Sequence, residues 1–348
     1  MKRYYTRVCN FYYGNESKLL INKKKTLPLN GNKNISFDHI EIISRNSKKR
    51  LPLSKINSLS KLLKKQIISD LKKIKLKKKN FANLNFLKIP NIMGVLNLTP
   101  DSFSDGGKFN TKSKGLKKAL NMFECGANII DIGGESTRPG SKSVPKDIEW
   151  KRIEKILRSI CKKIPISLDT RKSEIMRKGI NYGVKIINDV SGLSYDSKTI
   201  NILKKNKIPF IIQHSQGLPH NMQKKPHYKN VLLDIYDFFE EKINLLRSKG
   251  IKHNNIIVDP GIGFGKSTIE NLQILKNISI FHSLGCPIML GISRKSIISK
   301  ITQSDAIQKI GGSISFALHS LNQGVQIFRV HDVLETKQAI AVWERLES

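Results

Sequence analysis

From residue 92 onward the chain repeats one pattern that leaves few folds open to it. Eight short apolar runs each close on a polar residue or a glycine: Ile92–Asn97, Asn128–Asp131, Ile164–Asp169, Val184–Asn188, Pro209–Gln213, Ile256–Asp259, Cys286–Gly291 and Gln326–Arg329. Segments able to form helices lie between most of them, among them Lys114–Cys125, Ile148–Cys161, Lys172–Tyr182, Val231–Ser248 and Asp305–Asn322. Strands that alternate with helices point to a parallel sheet covered on both faces. Eight of them favour a closed (β/α)8 TIM barrel of roughly 250 residues over an open doubly wound sheet. In such a barrel the chemistry sits at the C-terminal strand ends. Those positions hold Asn97, Asp131, Asp169, Asn188, Asp259 and Arg329.

The chain has 348 residues, so the barrel leaves a remainder. Residues 1–90 carry 23 basic and 4 acidic side chains, and the other 258 carry 39 and 23. This shift marks a boundary near Ile89-Pro90, with a basic extension over 1–88 and a barrel over 89–348. The extension reads as a small α+β unit. Phe37, Ile40 and Ile42 suggest a strand within Ser36–Ser44, and Leu27–Asn32 looks like a strand end and turn. Ile56, Leu59, Leu63, Ile67, Leu71 and Ile74 recur at helical spacing among lysines, which predicts one basic amphipathic helix over 55–76. Such a helix either docks on the main domain or meets an anionic surface.

The net charge of +35 invites a polyanion partner. Lysine outnumbers arginine 49 to 13, however, and asparagine and isoleucine are abundant, as A- and T-rich coding would produce. A solvated lysine surface is therefore expected, with neither nucleic acid nor a membrane as partner. Cys9, Cys125, Cys161 and Cys286 show neither metal-ligand spacing nor a pairing pattern and read as reduced thiols. No apolar run approaches the roughly 18 residues of a membrane span. Met1–Tyr5 leads into no hydrophobic region, so a cytoplasmic location is expected.

Several strand ends run into distinctive loops. Asn97-Leu98-Thr99-Pro100-Asp101-Ser102-Phe103-Ser104-Asp105-Gly106-Gly107 is longer than an ordinary βα connection and offers Asn97 as an oxygen ligand for a hard cation. Asp131–Ser141 carries Gly133-Gly134 and Arg138, the latter suited to a carboxylate. Asp169-Thr170-Arg171 and Asn188-Asp189 offer an acceptor and a mixed donor–acceptor for a heterocycle edge, or simply cap the next helices. Asp259-Pro260-Gly261-Ile262-Gly263-Phe264-Gly265-Lys266-Ser267 approaches a Walker loop, but Pro260 stands where that motif needs glycine. An ATPase or dinucleotide fold is thereby excluded, and these glycines are expected to pack the loop on a flat ligand. Ser293-Arg294-Lys295-Ser296 and Arg329-Val330-His331-Asp332 follow the seventh and eighth strands, where this fold often holds phosphate.

Taken in order, these motifs resemble the dihydropteroate synthase family over roughly residues 90–348. The resemblance implies a barrel, usually a homodimer, that condenses 6-hydroxymethyl-7,8-dihydropterin pyrophosphate with p-aminobenzoate in folate biosynthesis, with Mg²⁺ accompanying the pyrophosphate. Position by position, it places Asp169, Asn188, Asp259 and Lys295 in the pterin pocket and Asn97 near the metal. Arg329 and His331 fall at the anion site, and Phe103, Thr137, Arg138, Pro139 and Ser296 around p-aminobenzoate. The chain departs from the family at Ser215, between His214 and Gln216, and at Ile297-Ile298, where methionine and glycine are frequent. The extension has no counterpart in short members. A pterin-binding methyltransferase barrel shares the pocket carboxylates but needs no pyrophosphate site, so Arg329 and His331 disfavour it. A nucleic-acid role for the basic extension is the other alternative.

Overall fold

The computed structural model describes residues 4–99, 112–136, 141, 143–217, 227–303 and 307–347. The extension opens with β1 (Tyr5–Tyr13), α1 (Gly14–Asn22), β2 (Leu27–Leu29), β3 (Asn32–Ile43) and β4 (Lys48–Pro52). β3 is long enough to pair with β1 along one edge and with β2 and β4 in succession along the other, all antiparallel. The single helix expected over 55–76 is two elements. A 3₁₀ turn, Leu53–Ser58, precedes α2 (Lys61–Lys75). Leu59 and Ser60 are extended between them, with ψ of 155° and 149°. Ile67, Leu71 and Ile74 of α2 are buried and share an apolar cluster with Val8, Leu29, Phe37 and Ile40 of the sheet.

Eight parallel strands then follow: β5 (Asn91–Asn97), β6 (Ile129–Gly133), β7 (Ile166–Asp169), β8 (Ile186–Asp189), β9 (Phe210–Gln213), β10 (Ile256–Asp259), β11 (Met289–Gly291) and β12 (Ile327–Val330). Their order is β10-β9-β8-β7-β6-β5-β12-β11, and a bridge between Val258 and Ile288 closes the ring. The chain is a (β/α)8 TIM barrel carrying an N-terminal α+β extension. Around the strands lie α3 (Lys112–Glu124), α4 (Lys146–Ile160), α5 (Ser173–Tyr182), α6 (Thr199–Asn206), α7 (Val231–Ser248), α8 (Thr268–Lys276), α9 (Ser296–Thr302), α10 (Ile310–Leu321) and α11 (Val333–Leu346). Local chemistry sets several of their ends. Asn230 Oδ1 accepts from Leu233 N at the start of α7, Ser267 and Glu270 form a capping box on α8, and left-handed Gly183 ends α5.

Alternation along the strands separates the barrel interior into an apolar floor and a polar mouth. Met93, Ile129, Ile186, Ile211, Ile257, Met289 and Ile327 form one buried layer with Leu84 and Phe86, which precede β5 and fill the N-terminal end. Two residues further along, the same face carries Asp131, Asn188, Gln213, Asp259, Gly291 and Arg329. β6, β8, β9, β10 and β12 thus each supply apolar packing below and a polar group above.

The extension completes the outside of the barrel. Between α8 and β11 the outer layer is a 3₁₀ segment, Ile278–Leu284, whose seven residues are all buried. Ser279 Oγ donates to Val8 O of β1 at 2.8 Å. Tyr5 OH donates to Asp237 Oδ1 of α7 at 2.7 Å, and the Tyr5 and Tyr236 rings meet edge to face at 5.1 Å. Arg45 bridges Asp234 and Asp237, both at 2.7 Å. No helix among the described residues is long and apolar enough to cross a membrane.

Candidate active site

Three side chains meet at the centre of the mouth. Arg329 Nε donates to Asp131 Oδ2 at 2.6 Å, and its Nη2 donates to Asp169 Oδ2 at 2.7 Å. Asn188 Nδ2 donates to the same Asp131 oxygen at 3.0 Å. Residues from β6, β7, β8 and β12 are thereby tied into one network across the barrel. Among the described residues Arg329 Nη1 has no such partner. Burial pushes the Asp169 carboxyl above its ordinary value, and the Arg329 guanidinium opposes that push.

Asp259 and Lys295 occupy the adjoining wall. Asp259 Oδ1 accepts from Gly261 N at 2.8 Å. Burial raises this carboxyl too, against the Gly261 N–H, Lys295 and Arg329. Lys295 lies with Nζ 4.4 Å from the Phe264 ring centre, and burial pushes it down to about 8 despite the nearby Asp259. A Cβ at Gly291 would meet only Asp259 Oδ2, at 3.9 Å, so this side of the mouth has room.

The mouth also holds buried polar atoms with nothing to bond. Asp131 Oδ1, Ser167 Oγ, Asn188 Oδ1 and Gln213 Nε2 are without partners. A folded chain rarely leaves such groups unpaired. Four of them stand on the neighbouring strands β6, β7, β8 and β9, which suits a site where a ligand completes the hydrogen bonding. They present three acceptors and one donor, which suits a flat heterocycle bearing ring N–H and amine groups.

The rim combines cations with a structured loop base. His331 is half-buried, its backbone N–H donates to Ser293 Oγ at 3.2 Å, and burial with Arg329 and Arg294 pushes its imidazole down to about 3. Arg294 is spent on Asp332, bonded through both Nε and Nη2. Ser296 begins α9 and is exposed. Asn97 closes β5 beside Gly133. Phe103, Thr137, Arg138 and Pro139 lie outside the described residues. The base of the segment holding the last three is well defined. Glu135 accepts from Arg171 Nε at 3.0 Å and Nη2 at 3.1 Å, from Val144 N at 2.8 Å and from Ser143 Oγ at 3.2 Å. Burial would raise this carboxyl, but these donors hold it below the usual range.

Two of the glycines after β10 do something other than expected. Gly261 and Gly265 are left-handed, with φ of 69° and 63°. A Cβ there would fall 2.0 Å from His214 O and 2.4 Å from Gln216 O. These two pack the loop on the backbone after β9, while a Cβ at Gly263, also left-handed, would lie against Lys295, 3.5 Å from its Cδ. Lys266 turns inward and donates to Gly261 O and Phe264 O at 2.9 Å and to His214 O at 3.3 Å. A lysine committed to three carbonyls holds the loop and is not available to a phosphate.

The structure brings Asp169, Asn188, Asp259, Lys295 and Arg329 together, with His331 at the rim. It adds Ser167 and Gln213, which the reading of the sequence did not assign to the site, and gives Asp131, expected there only as a polar strand end, a specific place as the partner of Arg329 and Asn188. Asp131 was legible, since counting by two along β6 puts it on the same face as Gly133, opposite Ser167 and Asp169.

Comparison with known proteins agrees with this geometry. Residues 93–331 match the family model of pterin binding enzymes. The dihydropteroate synthase of Haemophilus influenzae is 41% identical over 260 residues, covering 74% of this chain and 94% of that protein. That of Escherichia coli is 38% identical, covering 74% and 92%. Among solved structures, Yersinia pestis dihydropteroate synthase with a sulfonamide drug complex superposes with a TM-score of 0.73 at 36% identity, over 77% of this chain and 98% of that one. The Xanthomonas albilineans dihydropteroate synthase with 4-aminobenzoic acid gives 0.71 at 34%, over 77% and 99%. With its core site, barrel order and relatives all in accord, this chain belongs to the dihydropteroate synthase family of pterin-binding enzymes.

Proposed function

We propose that the chain joins 6-hydroxymethyl-7,8-dihydropterin pyrophosphate to p-aminobenzoate, releasing 7,8-dihydropteroate and pyrophosphate in folate biosynthesis, with the roles of its residues as follows. The observation that carries the reading is the ring of unpaired polar atoms around the Asp131–Arg329–Asp169 network. Asn188 Oδ1, Asp259 and Asp169 accept from the pterin edge, and Lys295 covers it beside Phe264. Arg329 has a double part. Two of its nitrogens fix the carboxylates, and Nη1 remains for the departing diphosphate, with His331 as a second donor.

The bond that breaks joins the pterin methylene to the diphosphate oxygen. Its electron pair leaves with the diphosphate, and the electron-rich dihydropterin carries the resulting positive charge. The p-aminobenzoate amine then forms the C–N bond and loses a proton. No protein nucleophile is needed. Positioning and stabilisation of the leaving charge are the tasks of the site, and Asp169 and Asp259 favour the cation by their negative charge. Phe103, Thr137, Arg138, Pro139 and Ser296 are assigned to p-aminobenzoate.

Among the described residues no cluster of three His, Cys, Asp or Glu offers a metal cage. Asn97 offers one neutral oxygen, which fits Mg²⁺ held mainly by substrate phosphate oxygens. When bound, that ion supplies positive charge at the leaving diphosphate. We further propose a homodimer. Its support is α10, an apolar helix that buries only Ser313, Ala317, Ser320 and Leu321, next to the exposed Leu334 and Val342 of α11. A cytoplasmic location suits the four free thiols. The deciding assay mixes the purified chain with the pterin pyrophosphate, Mg²⁺ and p-aminobenzoate. Dihydropteroate and pyrophosphate appear together on this reading, and absence of either refutes it.

A further inference from the structure

Although the lysine content of the chain as a whole reads as a solvated surface with no membrane partner, we propose that the outward face of α2 is a docking surface for an anionic lipid bilayer. At 100° per residue, Lys61, Leu62, Lys65, Ile68, Ser69, Lys72, Lys75 and Leu76 fall within an arc of about 140°. This arc lies opposite the buried Ile67, Asp70, Leu71 and Ile74. All eight residues are exposed, and the three aliphatics strongly so: Leu62 at 84%, Ile68 at 50% and Leu76 at 56%. Single exposed aliphatics are ordinary, but Leu62 and Ile68 on the helix and Leu76 at its C-cap stand among four lysines, so one surface offers both apolar groups and positive charge to a bilayer.

The charge on this face has one sign. The only acid between residues 61 and 79 is Asp70, which is buried and accepts from Thr6 Oγ1 at 2.7 Å. A helix face adapted only to water interleaves both signs. Among the described residues none of Lys61, Lys65, Lys72 and Lys75 has an ion-pair partner. Residues 61–79 also contain no arginine and no aromatic side chain. That composition lacks the stacking groups of a nucleic-acid surface and keeps the aliphatics that a bilayer accepts. The absence of a spanning segment does not bear on this contact, because a peripheral helix needs none. After α2 the chain runs through residues 76–83 to Leu84 and Phe86 at the barrel floor, the end opposite Asp169 and Arg329.

The test is flotation of the full chain with vesicles of phosphatidylglycerol and phosphatidylcholine, against vesicles of phosphatidylcholine alone, at low and high salt. Binding to the first, little to the second, and release by salt are expected. A lysine near an anionic surface changes partitioning by about five-fold. Changing Lys61, Lys65, Lys72 and Lys75 together to glutamine should lower partitioning at least about ten-fold. The same change at Lys151, Lys155, Lys162 and Lys163, which are also exposed, should have little effect. Leu62→Ser, Ile68→Ser and Leu76→Ser combined should weaken binding with the salt dependence retained. Unaltered melting and turnover in every variant show that the fold and the site are intact. The proposal is overturned by equal losses from the two lysine sets, by no vesicle binding, or by these lysines binding single-stranded RNA in place of vesicles.

Discussion

Replacing Arg329 by methionine tests the network at the centre of the mouth. The substitution keeps an unbranched apolar stem and removes two charge-assisted hydrogen bonds of 2.6 and 2.7 Å, leaving Asp131 and Asp169 without a cation between them. Breaking a buried pair by deleting one partner costs about 3–5 kcal/mol. At about 2 °C per kcal/mol for a chain of this size, melting at pH 8 should fall by roughly 6–10 °C. The pH dependence has a definite sign. Burial already raises the Asp169 carboxyl in the folded chain, and Arg329 limits the rise. Without the guanidinium the folded value climbs further, so the variant loses most stability where an unfolded carboxylate is ionised and the folded one resists ionisation. The melting gap between parent and variant should therefore be nearly constant from about pH 5 to 7 and widen as pH rises through about 8, where Asp169 of the parent ionises. Calorimetric scans at several pH values measure it. Turnover should fall by ~30- to 1,000-fold, about 2–4 kcal/mol, as for loss of one oxyanion donor. A melting gap that ignores pH, or turnover that survives, would refute the double role of Arg329.

Other perturbations probe separate parts of the site. Lys295 is pushed down to about 8, so its ammonium is present below that pH and lost above it; pterin affinity measured by calorimetry should weaken above pH 8, and Lys295→Met should remove that limb. Glu135→Gln loosens the base of the segment after β6, by roughly 1–2 kcal/mol of hydrogen bonding, and should raise KM for p-aminobenzoate about ten-fold with the pterin Kd unchanged; an equal shift in both would place the clamp elsewhere. A fragment spanning residues 89–348 exposes the buried Ile278–Leu284 segment, and should aggregate or melt well below the full chain in a thermal scan.

The barrel was legible because burial on both faces and chemistry at one end leave a simple mark. A parallel strand buried on both sides reads as an unbroken apolar run, and its last inward residue reads as a polar stop. Ile256–Asp259 was bounded to the residue, and the run ending at Asn188 stops one residue short of β8. Val231–Ser248, with its apolar stripe and asparagine cap, was equally plain. The site was legible where a motif ends a strand, as at Asp169, Asn188, Asp259 and Arg329. It was less so where geometry decides a role. No spacing rule says that Arg329 reaches Asp131 across 198 residues, or that Lys266 turns away from the mouth. In the extension, Tyr5–Tyr13 was missed although Val8, Phe11, Tyr12 and Tyr13 favour a strand, because lysine and asparagine nearby dilute the alternation. The break at Leu59-Ser60 was hidden by helical spacing that continues through it.

The seam between the extension and the barrel has a temporal consequence. Arg7 and Ser279, which meet across it, are 272 residues apart. At ribosomal speeds of about 5–20 residues per second, roughly 15–55 s pass between their emergence. For that interval β1 and α2 are made and their final neighbour is not, so the nascent chain carries an unfinished apolar flank until late in synthesis. Factors that shield young chains should matter more to this protein than to shorter members that begin directly with the barrel.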